Sequence, residues 1–330
     1  MKQVNGSGDD LATAPVAPRP PPSPVRAIPT LLRGLAQVDF MQSAWCGLFF
    51  AAALFASGWK YGLFALIGTA VSTLTALVWQ VDGDRVLAGL EGFNGALVGT
   101  AAGVFLGPEY LSSWLMAAAG SVAATIVTAA LVRLLGTWDI PTLTFPFCIT
   151  AAVLTIAAPE FQRLWHGRTG LAGLVEPAQG PTGLGWADLW RAFFANVAQI
   201  FFMPQWYVGL LFLAGIFVAS RRAGVVASLG SVVGIVTAWA LGSPADEIRA
   251  GLLGYNAVLV ALALCGVFLA VSVWSVAYAV IGAASSTGVT GALSDFFTPV
   301  GGHTLTWPFC LTTLVFLLAA PALPRLRRTG

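Results

Sequence analysis

Gly89-Leu90-Glu91-Gly92-Phe93-Asn94-Gly95-Ala96-Leu97-Val98 recurs 162 residues later as Gly251-Leu252-Leu253-Gly254-Tyr255-Asn256-Ala257-Val258-Leu259-Val260. Thr142-Leu143-Thr144-Phe145-Pro146-Phe147-Cys148 recurs at the same spacing as Thr304-Leu305-Thr306-Trp307-Pro308-Phe309-Cys310. Gln37-Val38 and Phe40-Met41 return as Gln199-Ile200 and Phe202-Met203. One spacing shared by three separated blocks marks a tandem duplication.

The duplicated material is apolar. Of 330 residues 57% are hydrophobic and 9% charged, and the mean hydropathy is +0.82. A soluble domain carries roughly 25% charged residues. The chain is therefore read as an all-α polytopic membrane protein. Its apolar runs are near 20 residues long and do not alternate, which excludes a barrel. A net charge of +2 without a long basic run gives no footing for nucleic acid. Four cysteines in no cluster, and two histidines outside any catalytic pattern, point to no metal, no cofactor and no enzyme.

Seven of the 19 prolines lie within residues 1–35, which are read as a flexible Pro-rich tail. That stretch lacks the apolar centre of a signal peptide, so the first membrane segment is expected to direct insertion. Helices are expected at about 42–58, 61–80, 94–107, 114–135 and 140–158, forming a first membrane repeat over 36–158. Residues 159–197 form a linker with an amphipathic interfacial helix beginning at 186. Helices at about 203–219, 224–241, 257–270, 272–285 and 303–320 make a second repeat over 198–320, followed by a basic tail at 321–330. Two stretches, 84–93 and 246–255, are too short to span alone. Five spans per half predict opposite insertion of the halves, with a functional site near the midplane between them. With both termini inside, eleven basic residues face the cytoplasm and five face outward, in keeping with positive-inside.

The doubled Gly-Leu-x-Gly-aromatic-Asn block and the doubled Thr-x-Thr-x-Pro-Phe block resemble the urea transporter family, in its bacterial channel form. The resemblance covers roughly residues 36–320. It implies two inverted repeats, each of five transmembrane helices and one tilted half-membrane helix, assembled as a homotrimer in a bacterial inner membrane. It implies passive movement of urea through a pore between the repeats of each subunit. Phe93 and Leu97, with Tyr255 and Leu259, are implied as pore walls. Gln37, Val38 and Phe40 are implied at one mouth, and Gln199, Ile200 and Phe202 at the other.

Urea is planar, neutral and strongly hydrated, so a pore needs hydrogen-bond acceptors for its amides and apolar walls for its faces. Pro146 and Pro308 lack an N–H and crowd the carbonyl four residues back. Thr142 and Thr304 are thus expected to offer carbonyls, and Thr144 and Thr306 hydroxyls. The same Thr-x-Thr-x-Pro stretch also reads as an ordinary helix start. Leu97 and Leu259 also read as packing residues, and Asn94 and Asn256 as partners of freed backbone. Glu91 is expected to cap a half-helix or pair with Arg85, and Cys148 and Cys310 to be small apolar packers. A channel for another small neutral solute (water, ammonia, short amides) and an ion-coupled transporter are the alternatives. Coupling needs ionisable groups at depth, and the candidates are few: Glu91, Asp39, Asp139 and Asp295.

Overall fold

The computed structural model describes residues 24–166 and 175–329. The prolines from Pro15 to Pro22, and Arg168 of the linker, lie outside the described residues.

The described chain is helical. Helices α1 (Pro24–Ala36), α2 (Ala44–Ser57), α3 (Trp59–Val78), α4 (Gly83–Leu87), α5 (Phe93–Ala101), α6 (Leu111–Leu135) and α7 (Phe145–Ala157) come first. Helices α8 (Trp186–Ala198), α9 (Trp206–Ala219), α10 (Arg221–Ala240), α11 (Ala245–Arg249), α12 (Tyr255–Leu262), α13 (Val273–Phe297) and α14 (Trp307–Ala319) follow in matching order, each equal to its counterpart in length except α12, one residue shorter than α5. α3, α6, α10 and α13 are each long and apolar enough to cross a membrane. α1 with α2, and α8 with α9, form bent pairs turning through 79° and 78°. Large apolar side chains face outward along these helices, among them Leu74, Ile126, Val236 and Ile281. In water that surface would be unstable, whereas lipid solvates it.

The helix α1 begins inside the stretch expected to be a flexible tail. Pro24, Val25 and Arg26 form its first turn, where a missing proline N–H is harmless. Its end packs inward through Leu35 and Ala36, both fully buried. It matches α8, the helix expected to lie at the interface, residue for residue in length. The helix expected at 272–285 runs on to Phe297. The C-terminal residues do not trail away either: Ala270 donates to the Arg327 carbonyl (2.8 Å) and Thr329 to the Phe268 carbonyl (3.1 Å).

The short stretches at 84–93 and 246–255 each hold one helical turn and then a glycine break. Gly89 has φ +84° and Gly251 has φ +76°. A Cβ on Gly89 would stand 2.6 Å from the Arg33 carbonyl carbon, and one on Gly251 2.5 Å from that of Ala195. Both the left-handed backbone and the close approach require glycine there. These breaks let α5 and α12 start within the packed body rather than at its surface.

Candidate functional site

α7 and α14 begin in the interior because their first turns are satisfied from other helices. Pro146 and Pro308 occupy first-turn positions, where an N–H has no intrahelical partner. The next amides are caught by side chains: Phe147 N–H donates to Asn94 Oδ1 and Phe309 N–H to Asn256 Oδ1, each at 3.2 Å. The asparagines thus serve the backbone.

The carbonyls left by this arrangement are not those of the threonines. Thr142 O accepts from Phe145 N–H (3.2 Å) and Thr304 O from Trp307 N–H (3.3 Å). Proline crowding is relieved because the helix starts only at Phe145 or Trp307. Leu143 and Leu305 are the residues displaced, with φ of +49° and +46°. The Leu143 carbonyl has no partner among the described residues, since the Phe147 amide has gone to Asn94. The Leu305 carbonyl accepts the hydroxyl of Tyr255. Phe93, the matching residue in the first half, has no hydroxyl to do this.

The two Thr-x-Thr-x-Pro segments meet. Thr144 Oγ1 and Thr306 Oγ1 lie 2.6 Å apart. Thr144 Oγ1 also contacts Cys310 Sγ (3.1 Å), and Thr306 Oγ1 contacts Cys148 Sγ (3.2 Å). On one side of this cluster opens a vestibule of about 500 Å³. Gln37, Val38, Phe40, Phe93, Thr142 and Thr144 line it, together with Leu143, Phe268 and Phe309, which sequence reasoning missed. Asp139 and Arg328 form part of its rim. Arg328 donates to the Asp139 carbonyl (2.6 Å) and carboxylate (2.7 Å), tying the C-terminal segment across to the first half.

The other expected site residues lie outside this vestibule. Gln199, Ile200 and Phe202 sit in the turn between α8 and α9, as Gln37, Val38 and Phe40 sit between α1 and α2. Gln37 Nε2 donates to Ala88 O and Gln199 Nε2 to Ala250 O, both at 2.9 Å. Their amides orient the glycine breaks. Phe40 lies against Phe309 with ring centres 6.0 Å apart, and Phe202 against Phe147 at 5.8 Å. Phe202 also faces Phe105, on which His303 stacks at 3.8 Å. Leu97 and Leu259 are fully buried within the helix packing.

Charge is scarce near the cluster. Glu91 is buried but paired, accepting from Arg85 Nε and Nη2 at 2.8 Å each. Pairing of this kind avoids the heavy cost of an isolated buried charge. Asp39 is fully buried and its carboxylate has no hydrogen-bond partner among the described residues. It does not line the vestibule, although its neighbours Val38 and Phe40 do. No group of three or more metal-ligating side chains occurs among the described residues.

An apolar body, helical among the described residues, with a vestibule beside a cluster of hydroxyls and thiols, fits a protein that moves a small polar solute. The pattern of the family described as "Urea transporter" matches residues 28–321. This chain belongs to the urea transporter family. That family comprises transport proteins, not enzymes. The match begins within α1, so the family pattern takes in the greater part of this helix. Curated relatives agree: "Urea transporter 1" of Ovis aries is 31% identical over 313 residues, covering 92% of this chain and 80% of the relative. That of Capra hircus is 30% identical with the same coverage. That of Rattus norvegicus is 29% identical over 306 residues, covering 90% and 78%. These named relatives are mammalian.

Proposed function

We propose that this urea transporter passes urea passively, down its gradient, through a pathway between its two halves. The observation that carries the reading is the meeting of Thr144 and Thr306 at 2.6 Å, beneath a vestibule reached from one mouth. The contacts exchange when each residue is replaced by its counterpart. Thr144–Cys310 becomes Thr306–Cys148, and Phe40–Phe309 becomes Phe202–Phe147. Reciprocal pairs of this kind belong to a two-fold axis. With an odd number of spans in each half the axis lies in the membrane plane, and the halves insert in opposite senses. The repeat boundaries then fall at α1 and α8, and both termini face the cytoplasm. Five spans per repeat, a homotrimer with one pathway per subunit, and placement in a cell's plasma membrane complete the proposal.

A urea molecule leaving water would meet Gln37 and Phe40, lie flat between aromatic walls, and give its amide protons to the Leu143 carbonyl and the threonine hydroxyls. Fixed acceptors replace its hydration shell without adding charge. Gln199, Ile200, Phe202 and Tyr255 would serve the opposite mouth, with Leu97 and Leu259 behind the walls. Water, ammonia and short amides are the competing solutes.

Stopped-flow urea flux into proteoliposomes tests this, with thiourea and formamide as comparators. Internal urea should rise only to the bath concentration and be unaffected by proton or sodium gradients. Accumulation above the bath would establish coupling instead, and fast water flux with no urea flux would establish a different solute.

The asymmetry at Tyr255 gives a further prediction. Tyr255→Phe removes the hydroxyl that occupies the Leu305 carbonyl. A free acceptor then faces the pathway in both halves. The KM for urea should fall several-fold, since one hydrogen bond is worth about 1 kcal/mol net. An unchanged or raised KM in concentration-dependent flux measurements would mean that urea does not meet the Leu305 carbonyl.

A further inference from the structure

Cys148 and Cys310 do more than fill space. Each stands one turn into its helix, and each contacts the threonine hydroxyl of the opposite half at 3.2 and 3.1 Å. The threonines bond each other at 2.6 Å. The four side chains thus form one cluster at the meeting of the halves, a run from sulfur through two oxygens to sulfur. Both cysteines are fully buried and neither is in a disulfide. The remaining thiols, Cys46 and Cys265, lie apart: one sits in the first turn of α2 and the other in the widened turn after α12.

We propose that Cys148 and Cys310 form a binding site for a soft divalent d10 metal cation, and that the bound ion closes the pathway. The proposal rests on the pathway reading above. Soft cations choose thiolates over oxygen ligands, and two thiolates satisfy the linear preference of mercury(II). Each thiol gives up its proton on binding. The balance is one Hg²⁺ and two cysteine thiols giving one neutral Hg(S-Cys)₂ and two protons, which leave to water. No oxidant or reductant is needed. Neutrality matters because a net charge at this depth is costly. A monovalent soft cation would leave a net negative dithiolate complex, and a hard divalent cation would find only hydroxyls and no carboxylate. Access is through the vestibule: Thr144 lines it, and Cys310 Sγ lies 3.1 Å behind the Thr144 hydroxyl. An ion held between the sulfurs would sit against both threonine hydroxyls, where the two halves meet.

The probe is mercuric chloride, added to the full chain carrying Cys46→Ser and Cys265→Ser. Two readouts are taken. The ultraviolet thiolate-to-mercury absorbance of purified protein counts bound metal without reference to transport. Stopped-flow urea flux in proteoliposomes, scaled to each variant's own metal-free rate, reads closure. The expected result is one mercury per chain, flux reduced more than tenfold, and recovery with excess dithiothreitol. Adding Cys148→Ser or Cys310→Ser should raise the half-blocking concentration at least tenfold. Adding both should abolish the absorbance and the block. Equal sensitivity in the single, double and parent variants would overturn the site. Stoichiometric two-thiol binding with undiminished flux would overturn closure. Should metal-free protein carry no urea flux, the pathway reading fails, while the absorbance titration still decides whether the dithiol site exists.

Discussion

Thr144→Val and Thr306→Val each lower urea flux through the reconstituted protein by about tenfold, within the range set by losing one hydrogen-bonding partner in a buried place. Leaving such a group unmet costs about 1–3 kcal/mol, and 1.4 kcal/mol is a factor of ten. Valine keeps the shape of threonine and removes only the hydroxyl. Thr144 and Thr306 precede α7 and α14 without capping them through their side chains. The helix starts are held instead by Asn94 and Asn256. The loss therefore falls on the passing solute and the partner hydroxyl rather than on folding. Because the two hydroxyls share one bond of 2.6 Å, the effects should not add. The double variant should lose less than the product of the two single losses. Stopped-flow flux, beside melting curves that stay together for all variants, checks this. Wild-type flux in both single variants would remove the cluster from the pathway.

Much of this architecture was open to sequence reasoning because the duplication is so regular. Equal spacing of the Gln-Val, Gly-Leu-x-Gly and Thr-x-Thr-x-Pro blocks fixes which residues correspond, and the helices obey that correspondence. α1 was obscured by prolines, which weigh against a helix in any local reading. The signal that finds it is non-local: Trp186–Ala198 is amphipathic, and its counterpart 162 residues earlier is Pro24–Ala36. The free carbonyls escape local reading for a different reason. Counting back four residues from Pro146 reaches Thr142, but that rule holds only inside a helix, and α7 begins at Phe145. The positive φ of Leu143 and Leu305 cannot be read from leucine, which seldom adopts it. The bond from Tyr255 to Leu305 and the cluster of Cys148, Thr306, Thr144 and Cys310 join segments that only the folded halves bring together. Matched cysteines are visible in the sequence, but their contacts with the threonines of the opposite half are not. Pairing of Glu91 with Arg85, six residues away, was within local reach, and the structure places it there.

The second large effect is on assembly, and it should differ between the halves. α3 and α5 touch backbone to backbone. A Cβ added to Gly68 would lie 2.0 Å from the Gly95 carbonyl oxygen and 3.1 Å from the Gly99 Cα. Both obstacles are main chain, so no rotamer change can relieve them. The matching residue in the second half is Gly230. Its added Cβ would meet the Ala257 carbonyl oxygen and the Val258 Cα at 2.8 Å. α12 carries Ala257 and Ala261 where α5 carries Gly95 and Gly99, and the nearest obstacle stands at 2.8 Å rather than 2.0 Å. Helix contacts in a membrane depend on such close packing, because lipid gives no hydrophobic drive to push helices together. Gly68→Ala should therefore exceed the usual 1–3 kcal/mol of overpacking, while Gly230→Ala stays within it. The consequence reaches the vestibule and the pathway proposed through it, because α5 carries both Phe93 and Asn94. Pushing it outward pulls Asn94 Oδ1 from the Phe147 amide, 3.2 Å away, and loosens the start of α7. Gly68→Ala should lower the melting temperature in detergent well below that of Gly230→Ala and reduce urea flux in the folded fraction. Equal melting temperatures for the two variants would show that α3 and α5 separate as readily as α10 and α12.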